Sequence, residues 1–403
     1  MEKKKDTADR FTSAYFDEKI DRRSSGSVKY EPVPPDSHGR EVIPMWVADM
    51  DFRMLPSARA AMEDVLKHGI FGYTLDGDDY KSTVSGWYSR RFGWNFQEEA
   101  VVNAPGVIYC ISAGIRVLTA PGDGVLILEP VYFPFRSTIL ANKRVPVISS
   151  LRNNNGHWEI DFDDLDRKLG MAKAILFCSP HNPVGRVWSE EELRRVAKLA
   201  EKHGVGVICD EIHSDFIFDG RHTPFASIDG MAERTITCTA PTKTFNMAGI
   251  KSANAIIENK ALRDSFEAEK EITGNADLNI FSIAATKAVY RDGDGWVDAL
   301  INYIRGNYDI LKEAFPEAGT DAPVTLTHPE GTYLAWLDCR GLAEYGVSDP
   351  QKFFLEEAGI RMNDGKMFGE GGDGFVRMNL GTQHDVVREA IKRMKDAISS
   401  VIK

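Results

Sequence analysis

The sequence predicts an α/β fold: a mainly parallel central sheet with helices on both faces, joined to a smaller α+β domain. Three observations carry this expectation. Short β-branched runs alternate with helical periodicities through the middle of the chain, a pattern that needs crossover connections and therefore parallel strands. The chain's 403 residues suffice for two or three domains at about 100–200 residues each. The C-terminal third changes character, its strands and helices segregating rather than alternating.

Five runs read as buried strands: Val125–Leu128, Val145–Ile148, Ala174–Cys178, Val205–Cys209 and Thr235–Thr239. A helix from about Val107 places Ile108, Ile111, Ile115 and Leu118 on one stripe. Another opens at Ser189, where Ser189 and Glu192 form a capping box, and runs with Leu193, Val196, Ala197 and Ala200 inward to near Gly204. Further on come a helical stretch around Trp296–Phe315, a strand-like Tyr333–Leu337, a helix near Pro350–Ala358 and a strand Phe375–Leu380. A last helix follows Thr382, with Val387, Ala390, Ile391, Met394 and Ile398 on its face. These elements divide the chain into an N-terminal segment (1–49) packing with the small domain, a large α/β domain (50–290) and a small α+β domain (291–403). No internal repeat or low-complexity tract interrupts them.

Composition narrows the function. Hydrophobic residues are 43% and charged residues 27% of the chain, ordinary values for a globular protein. Lys+Arg total 49 against 60 Asp+Glu, a net charge of −11. The only basic run is Lys3-Lys4-Lys5, a frayed end rather than a binding arm, so nucleic acid is not an expected partner. No apolar stretch approaches the ~18 residues of a membrane span, and the N-terminus lacks the apolar region of a secretory signal. Cys110, Cys178, Cys209, Cys238 and Cys339 show no C-x-x-C spacing, and three lie in apolar runs. They read as buried reduced thiols, and the expected location is cytoplasmic.

Several motifs bear on chemistry. Gly369-Glu370-Gly371-Gly372-Asp373-Gly374 matches G-x-G-x-x-G, but it carries two carboxylates and precedes a strand instead of opening a helix. It reads as a flexible surface loop, not a nucleotide site. Asp210-Glu211-Ile212-His213 has no second cluster at ligand spacing, so no metal is expected. Asp210 ends a strand that reads as buried, where ligands of open α/β sheets bind, although it would also serve to cap the next segment. Ser179-Pro180-His181-Asn182-Pro183-Val184-Gly185 and Pro241-Thr242-Lys243-Thr244 follow two other strands. The first alone is a turn and the second alone a surface charge. Beside an Asp and an Asn, however, a Lys at the mouth of a sheet is placed to react with a carbonyl cofactor and then to move protons. Pro105-Gly106-Val107-Ile108 puts a glycine at a helix start, where free N–H groups can hold an anion.

Taken in order, Gly106, Tyr132 in Pro130-Val131-Tyr132, Asn182, Asp210 and Lys243 resemble the fold-type I pyridoxal 5′-phosphate enzymes of the class I/II aminotransferase superfamily. The resemblance covers nearly the whole chain. It sharpens toward the cystathionine β-lyase, or cysteine-S-conjugate β-lyase, branch at Pro44-Met45-Trp46-Val47-Ala48-Asp49-Met50-Asp51-Phe52, at His181–Trp188, at Asp210–His213 and at Lys243-Thr244-Phe245-Asn246. Asp21-Arg22-Arg23 and Ser27-Val28-Lys29-Tyr30 add to it.

The resemblance implies pyridoxal 5′-phosphate held covalently by Lys243, which also removes the substrate Cα proton. It implies that Asp210 pairs with the ring nitrogen, Asn182 donates to the ring hydroxyl oxygen and Tyr132 stacks on the ring. Gly106, Val107, Ile108 and Thr242 would bind the phosphate, and Arg377 would clamp the substrate carboxylate. Ala48 is implied as a substrate contact. Tyr73, in Phe71-Gly72-Tyr73-Thr74, would reach a phosphate and substrate across a homodimer with shared sites.

Three positions depart from the superfamily. Ala240 stands where Ser is common, leaving Thr239 or Thr242 as the hydroxyl donor. Lys251 replaces a common Arg, and His213 replaces a Tyr, either to assist Asn182 or to pack. The branch implies β-elimination from L-cystathionine, L-cysteine or related S-conjugates to pyruvate, ammonia and a thiol. An aminotransferase would use the same Lys243, Asp210 and Arg377, and a regulatory protein binding a transcription factor is a third reading. Residue spacing does not choose among these.

Overall fold

The structure, a computed structural model, describes residues 11–274 and 277–402; Lys3-Lys4-Lys5 lies outside the described residues. Its centre is a seven-stranded sheet of β1 (Val101–Ala104), β2 (Gly124–Glu129), β3 (Val145–Ser150), β4 (Ala174–Cys178), β5 (Gly206–Asp210), β6 (Thr235–Thr239) and β7 (Ala253–Ile256). The spatial order is β1-β7-β6-β5-β4-β2-β3. β7 runs antiparallel to both neighbours, and every other pair is parallel. Six strands therefore finish at one edge. The chain leaves β2 outward to β3 and returns to β4 on β2's other side, which makes a topological switch point there.

Alternation along the strands builds two cores. Leu126, Leu128, Ile175, Phe177, Val207 and Cys209 face one side, packed with Leu193, Val196, Ala197 and Ala200. Val125, Ile127, Ala174, Leu176 and Ile208 face the other, with Cys110, Ile111 and Ile115. The helix Glu190–Lys202 carries both bonds of the expected capping box. The helix Val107–Leu118 buries Val107, Cys110, Ile111, Ala113, Gly114 and Ile115, which shifts its inner face away from the expected stripe: Ile108 is 38% exposed. Gly114 sits against the sheet, where a Cβ would meet Ile208 Cγ1 at 3.2 Å.

Three expectations change. β3 is an edge strand with Val145 exposed, not a buried one. β1 and β7, unread in the sequence, are short and carry Asn103 and Asn254; the Asn254 side chain is buried and accepts from Tyr80 Oη at 2.9 Å. The glycine-rich run precedes the strand Phe375–Asn379 as expected, but it is a packed turn. A Cβ on Gly372 would meet Gly365 O at 2.1 Å, and Glu370 N donates to the buried Glu129 carboxylate at 2.9 Å.

The second sheet is antiparallel, in the order Thr325–Leu326, Leu334–Asp338, Phe375–Asn379, Asn363–Asp364. Helices Asp294–Ala314 and His384–Val401 bring Trp296, Leu300, Val387, Ala390 and Met394 into the same core as its strands. Ile43–Pro44 pairs in parallel with Ile360–Arg361, tying the N-terminal segment to this part of the chain. All five cysteines are buried and free. Among the described residues no helix is long and apolar enough to cross a membrane.

Candidate active site

Sheet register assembles the site. Asp210 pairs across with Cys178 on one side and Cys238 on the other, so three strands end in step. The chain leaving Cys178 carries Asn182, and the chain leaving Cys238 carries Lys243. His181 Nε2 bonds to Pro130 O at 2.9 Å, tying together the two loops that flank the switch point. The peptides before Pro130, Pro180 and Pro183 are cis.

Asp210 is 4% exposed. Its Oδ1 accepts from Ile212 N at 3.1 Å, the capping contact foreseen, but no cation pairs with it among the described residues. Burial pushes its pKa up to about 7, opposed by that hydrogen bond and by the positive charge of Lys243.

Lys243 lies in the short helix Pro241–Thr244, which Ala240 enters in extended conformation and Pro241 starts. Thr244 Oγ1 donates to Asp215 Oδ2 at 2.8 Å, anchoring this turn. Lys243 Nζ donates to Ala48 O at 2.6 Å. Burial, with the Arg377 charge, pulls its pKa down to about 8 against the pull of Asp49 and Asp210.

Arg377 projects from Phe375–Asn379 directly opposite Asn363 on the neighbouring strand. Its Nη2 donates to Asn363 Oδ1 at 2.7 Å and Trp46 O at 3.0 Å, and its Nη1 to Asn182 Oδ1 at 3.1 Å. Nε has no partner. All these acceptors are neutral, so a buried guanidinium lacks a counter-charge, and burial lowers its pKa to about 10. An incoming carboxylate supplies that charge.

At the helix start Gly106 is extended, and a Cβ there would meet nothing within 4 Å. The first-turn N–H groups of Val107 and Ile108 have no intrahelical acceptor. Of the two candidate hydroxyls, Thr239 Oγ1 is committed to Asn254 O at 3.3 Å, which leaves Thr242. Tyr132 is part-buried, and burial, with the nearby Asp210 charge, raises its pKa.

His213 packs edge-on against Tyr333 with ring centroids 5.6 Å apart. Burial and the Lys243 and Arg377 charges hold its pKa down to about 3, so the ring is neutral. Asn182 Oδ1 goes to Arg377, not to His213. Lys251 adopts a left-handed backbone with φ 58° and an exposed side chain. Tyr73 stands apart, fully exposed on its loop. Sequence reasoning missed Tyr333, whose hydroxyl donates to Ala48 O at 2.9 Å, and Asn363. Both bonds join residues remote in sequence, and no local pattern signals them.

The model of the aminotransferase class I and II family matches residues 40–394. The chain belongs to this family. Among its curated relatives, cystathionine beta-lyase PatB of Bacillus subtilis (strain 168) is 39% identical over 391 residues, covering 95% of this chain and 100% of PatB. Among solved structures, cystalysin of Treponema denticola, which contains a pyridoxal 5′-phosphate cofactor, superposes with a TM-score of 0.89 at 35% identity, covering 96% of this chain and 99% of that one. A pyridoxal-phosphate-bound C-S lyase of Staphylococcus hominis, complexed with L-cycloserine, gives 0.87 at 32% identity, again covering 96% and 99%.

The class I and II residues seen here fit that cofactor on their own chemistry. A ring N–H would answer the Asp210 carboxylate, which no cation pairs among the described residues, an aldehyde would suit the Lys243 amine, and a phosphate the open helix start at Gly106.

Proposed function

We propose that this chain is a pyridoxal 5′-phosphate-dependent carbon–sulfur β-lyase, converting L-cystathionine, L-cysteine or a related S-conjugate and water to pyruvate, ammonia and a thiol. The observation that carries the reading is a set of three ionisable groups brought together in one site, the buried Asp210 and Arg377 and the part-buried Lys243, none ion-paired among the described residues. Full-length likeness to a cystathionine beta-lyase and to a C-S lyase supports the branch.

When bound, pyridoxal phosphate supplies the electron sink for the pair left on Cα. Arg377 takes the substrate carboxylate through its forked N–H groups while Asn182 and Asn363 keep the guanidinium plane fixed. Lys243 Nζ, with a pKa near working pH, removes the Cα proton, and the Cβ–S bond breaks with the thiolate leaving. Asp210 would pair with the ring nitrogen, Tyr132 would stack on the ring, and Gly106, Val107, Ile108 and Thr242 would hold the phosphate.

The exposed apolar run Ile70, Phe71, Tyr73 and Leu75 supports a homodimer in which Tyr73 reaches the neighbouring site. We take the enzyme to be cytoplasmic.

Product analysis of cofactor-loaded protein with L-cystathionine, first without and then with 2-oxoglutarate, tests the reading. Catalytic pyruvate, ammonia and homocysteine without an acceptor are the expected result. Glutamate formed only with the acceptor, and no thiol, would make the protein an aminotransferase.

A further inference from the structure

The Ala48 carbonyl that receives Lys243 Nζ is held with unusual care. Asp49 N donates to Val47 O at 2.9 Å, closing a three-residue turn centred on Ala48. Asn379 Nδ2 takes both flanking carbonyls, Val47 O at 2.5 Å and Asp49 O at 2.6 Å. Asn246, three residues beyond Lys243, grips Met50 N and the carbonyls of Met50 and Phe52 at 2.7–2.9 Å.

Behind the turn lies a cluster of four charges that the reaction does not use. Arg22 donates to both oxygens of Asp49, at 3.0 and 2.9 Å, and to Asp51 Oδ1 at 2.8 Å. Lys29, whose side chain is wholly buried, donates to Asp51 Oδ2 at 2.7 Å. Lys29 and Asp51 are buried and Arg22 and Asp49 part-buried; taking such ions out of water is costly, so a charge-balanced cluster of this kind is a weak source of stability, and its attested use is to specify one geometry. Here it fixes the Asp49–Asp51 segment, and through it the turn.

We propose that Arg22, Lys29 and Asp51 are positioning residues that lock the Ala48 turn, so that its carbonyl takes one N–H of the free Lys243 amine and leaves the nitrogen lone pair aimed at the substrate Cα. A neutral amine has two N–H bonds and one lone pair; holding one N–H restricts where the lone pair points. Tyr333 Oη, on the same carbonyl, steadies it from the other sheet. The inference rests on Lys243 being the Cα base and is independent of what leaves from Cβ.

Exchange of the Cα hydrogen of L-alanine in D2O, followed by NMR with cofactor-loaded enzyme, reads proton removal alone, because alanine has no leaving group. At saturating alanine, Lys29→Met and Asp51→Asn slow exchange about 10²-fold, the scale of a 1 Å misplacement, with the half-saturating concentration unchanged because Arg377 is untouched. Lys29→Arg restores most of the rate. Tyr333→Phe, which keeps the ring packing, slows exchange to a smaller degree and serves if the charge variants fold poorly. Rates per folded, cofactor-loaded site equal to wild type in these variants would overturn the proposal, as the cluster would then be structural only. A Lys243→Ala protein that still exchanges defeats the underlying reading of Lys243. Absence of thiol release with exchange intact defeats only the lyase assignment.

Discussion

Arg377 shows how a single buried residue divides binding from chemistry. Its Nε is unpartnered and three of its other N–H groups rest on neutral oxygens, so the carboxylate it captures brings the missing charge. Charge-assisted hydrogen bonds of this kind are worth about 1.5–3 kcal/mol, and Arg377→Ala should raise KM about 10- to 100-fold in steady-state assays while kcat falls much less. Asp210 makes a prediction about pH. In the cofactor-free protein its carboxyl keeps a proton up to about pH 7, whereas in the unfolded chain it ionises near 3.8. Between those values the folded state binds more protons than the unfolded state, so this group's contribution to stability falls as pH rises through the window. Calorimetry of the cofactor-free protein should show Asp210→Asn removing that part of the decline and melting above wild type beyond the window. With the cofactor loaded the order should reverse, because the carboxylate then has its partner. Asp210 and Lys243 were legible because each follows a strand whose apolar run is local in the sequence. The choice between Thr239 and Thr242 was not, since it depends on Asn254 O, supplied by a strand that the sequence does not announce.

At the level of elements, reading succeeded where burial was symmetric and failed where it was not. β4 and β6 are buried along their whole length; a continuous apolar run reveals the first and a β-branched run the second. β3 carries a similar run, but only one neighbour covers it, and periodicity does not record which strand stands at an edge. β1 and β7 hide because an asparagine interrupts each, bonded to side chains far away in sequence: Asn103 to Asp76 and Lys270, and the Asn254 side-chain carbonyl oxygen to Tyr80. The glycine-rich run is the sharpest contrast, since its spacing imitates a phosphate loop while its glycines serve close packing. Gly372 lacks a positive φ, so its need is space alone: a methyl group would strike Gly365 O at 2.1 Å. Urea unfolding of Gly372→Ala should show a loss of about 1–3 kcal/mol, the usual cost of overpacking.

On the scale of the whole molecule, the proposed dimer can be tested without a structure of it. If Tyr73 serves the partner's site, a Tyr73→Ala chain and a Lys243→Ala chain are each impaired for different sites. Mixing them under conditions that allow subunit exchange should then regain activity, because a mixed dimer holds one site with both residues present. Activity of the mixture no greater than the sum of the two alone would place Tyr73 outside the shared site. The chain also imposes an order in time. Lys243 leans on Ala48 near the start of the sequence, while Asn182 is held by Arg377, on the strand just before the final helix. A ribosome delivering the protein from its N-terminus thus completes the large sheet well before the strand that finishes the pocket. Stable capture of the cofactor should accordingly be a late event in synthesis, and nascent chains halted before Phe375 should fail to retain it.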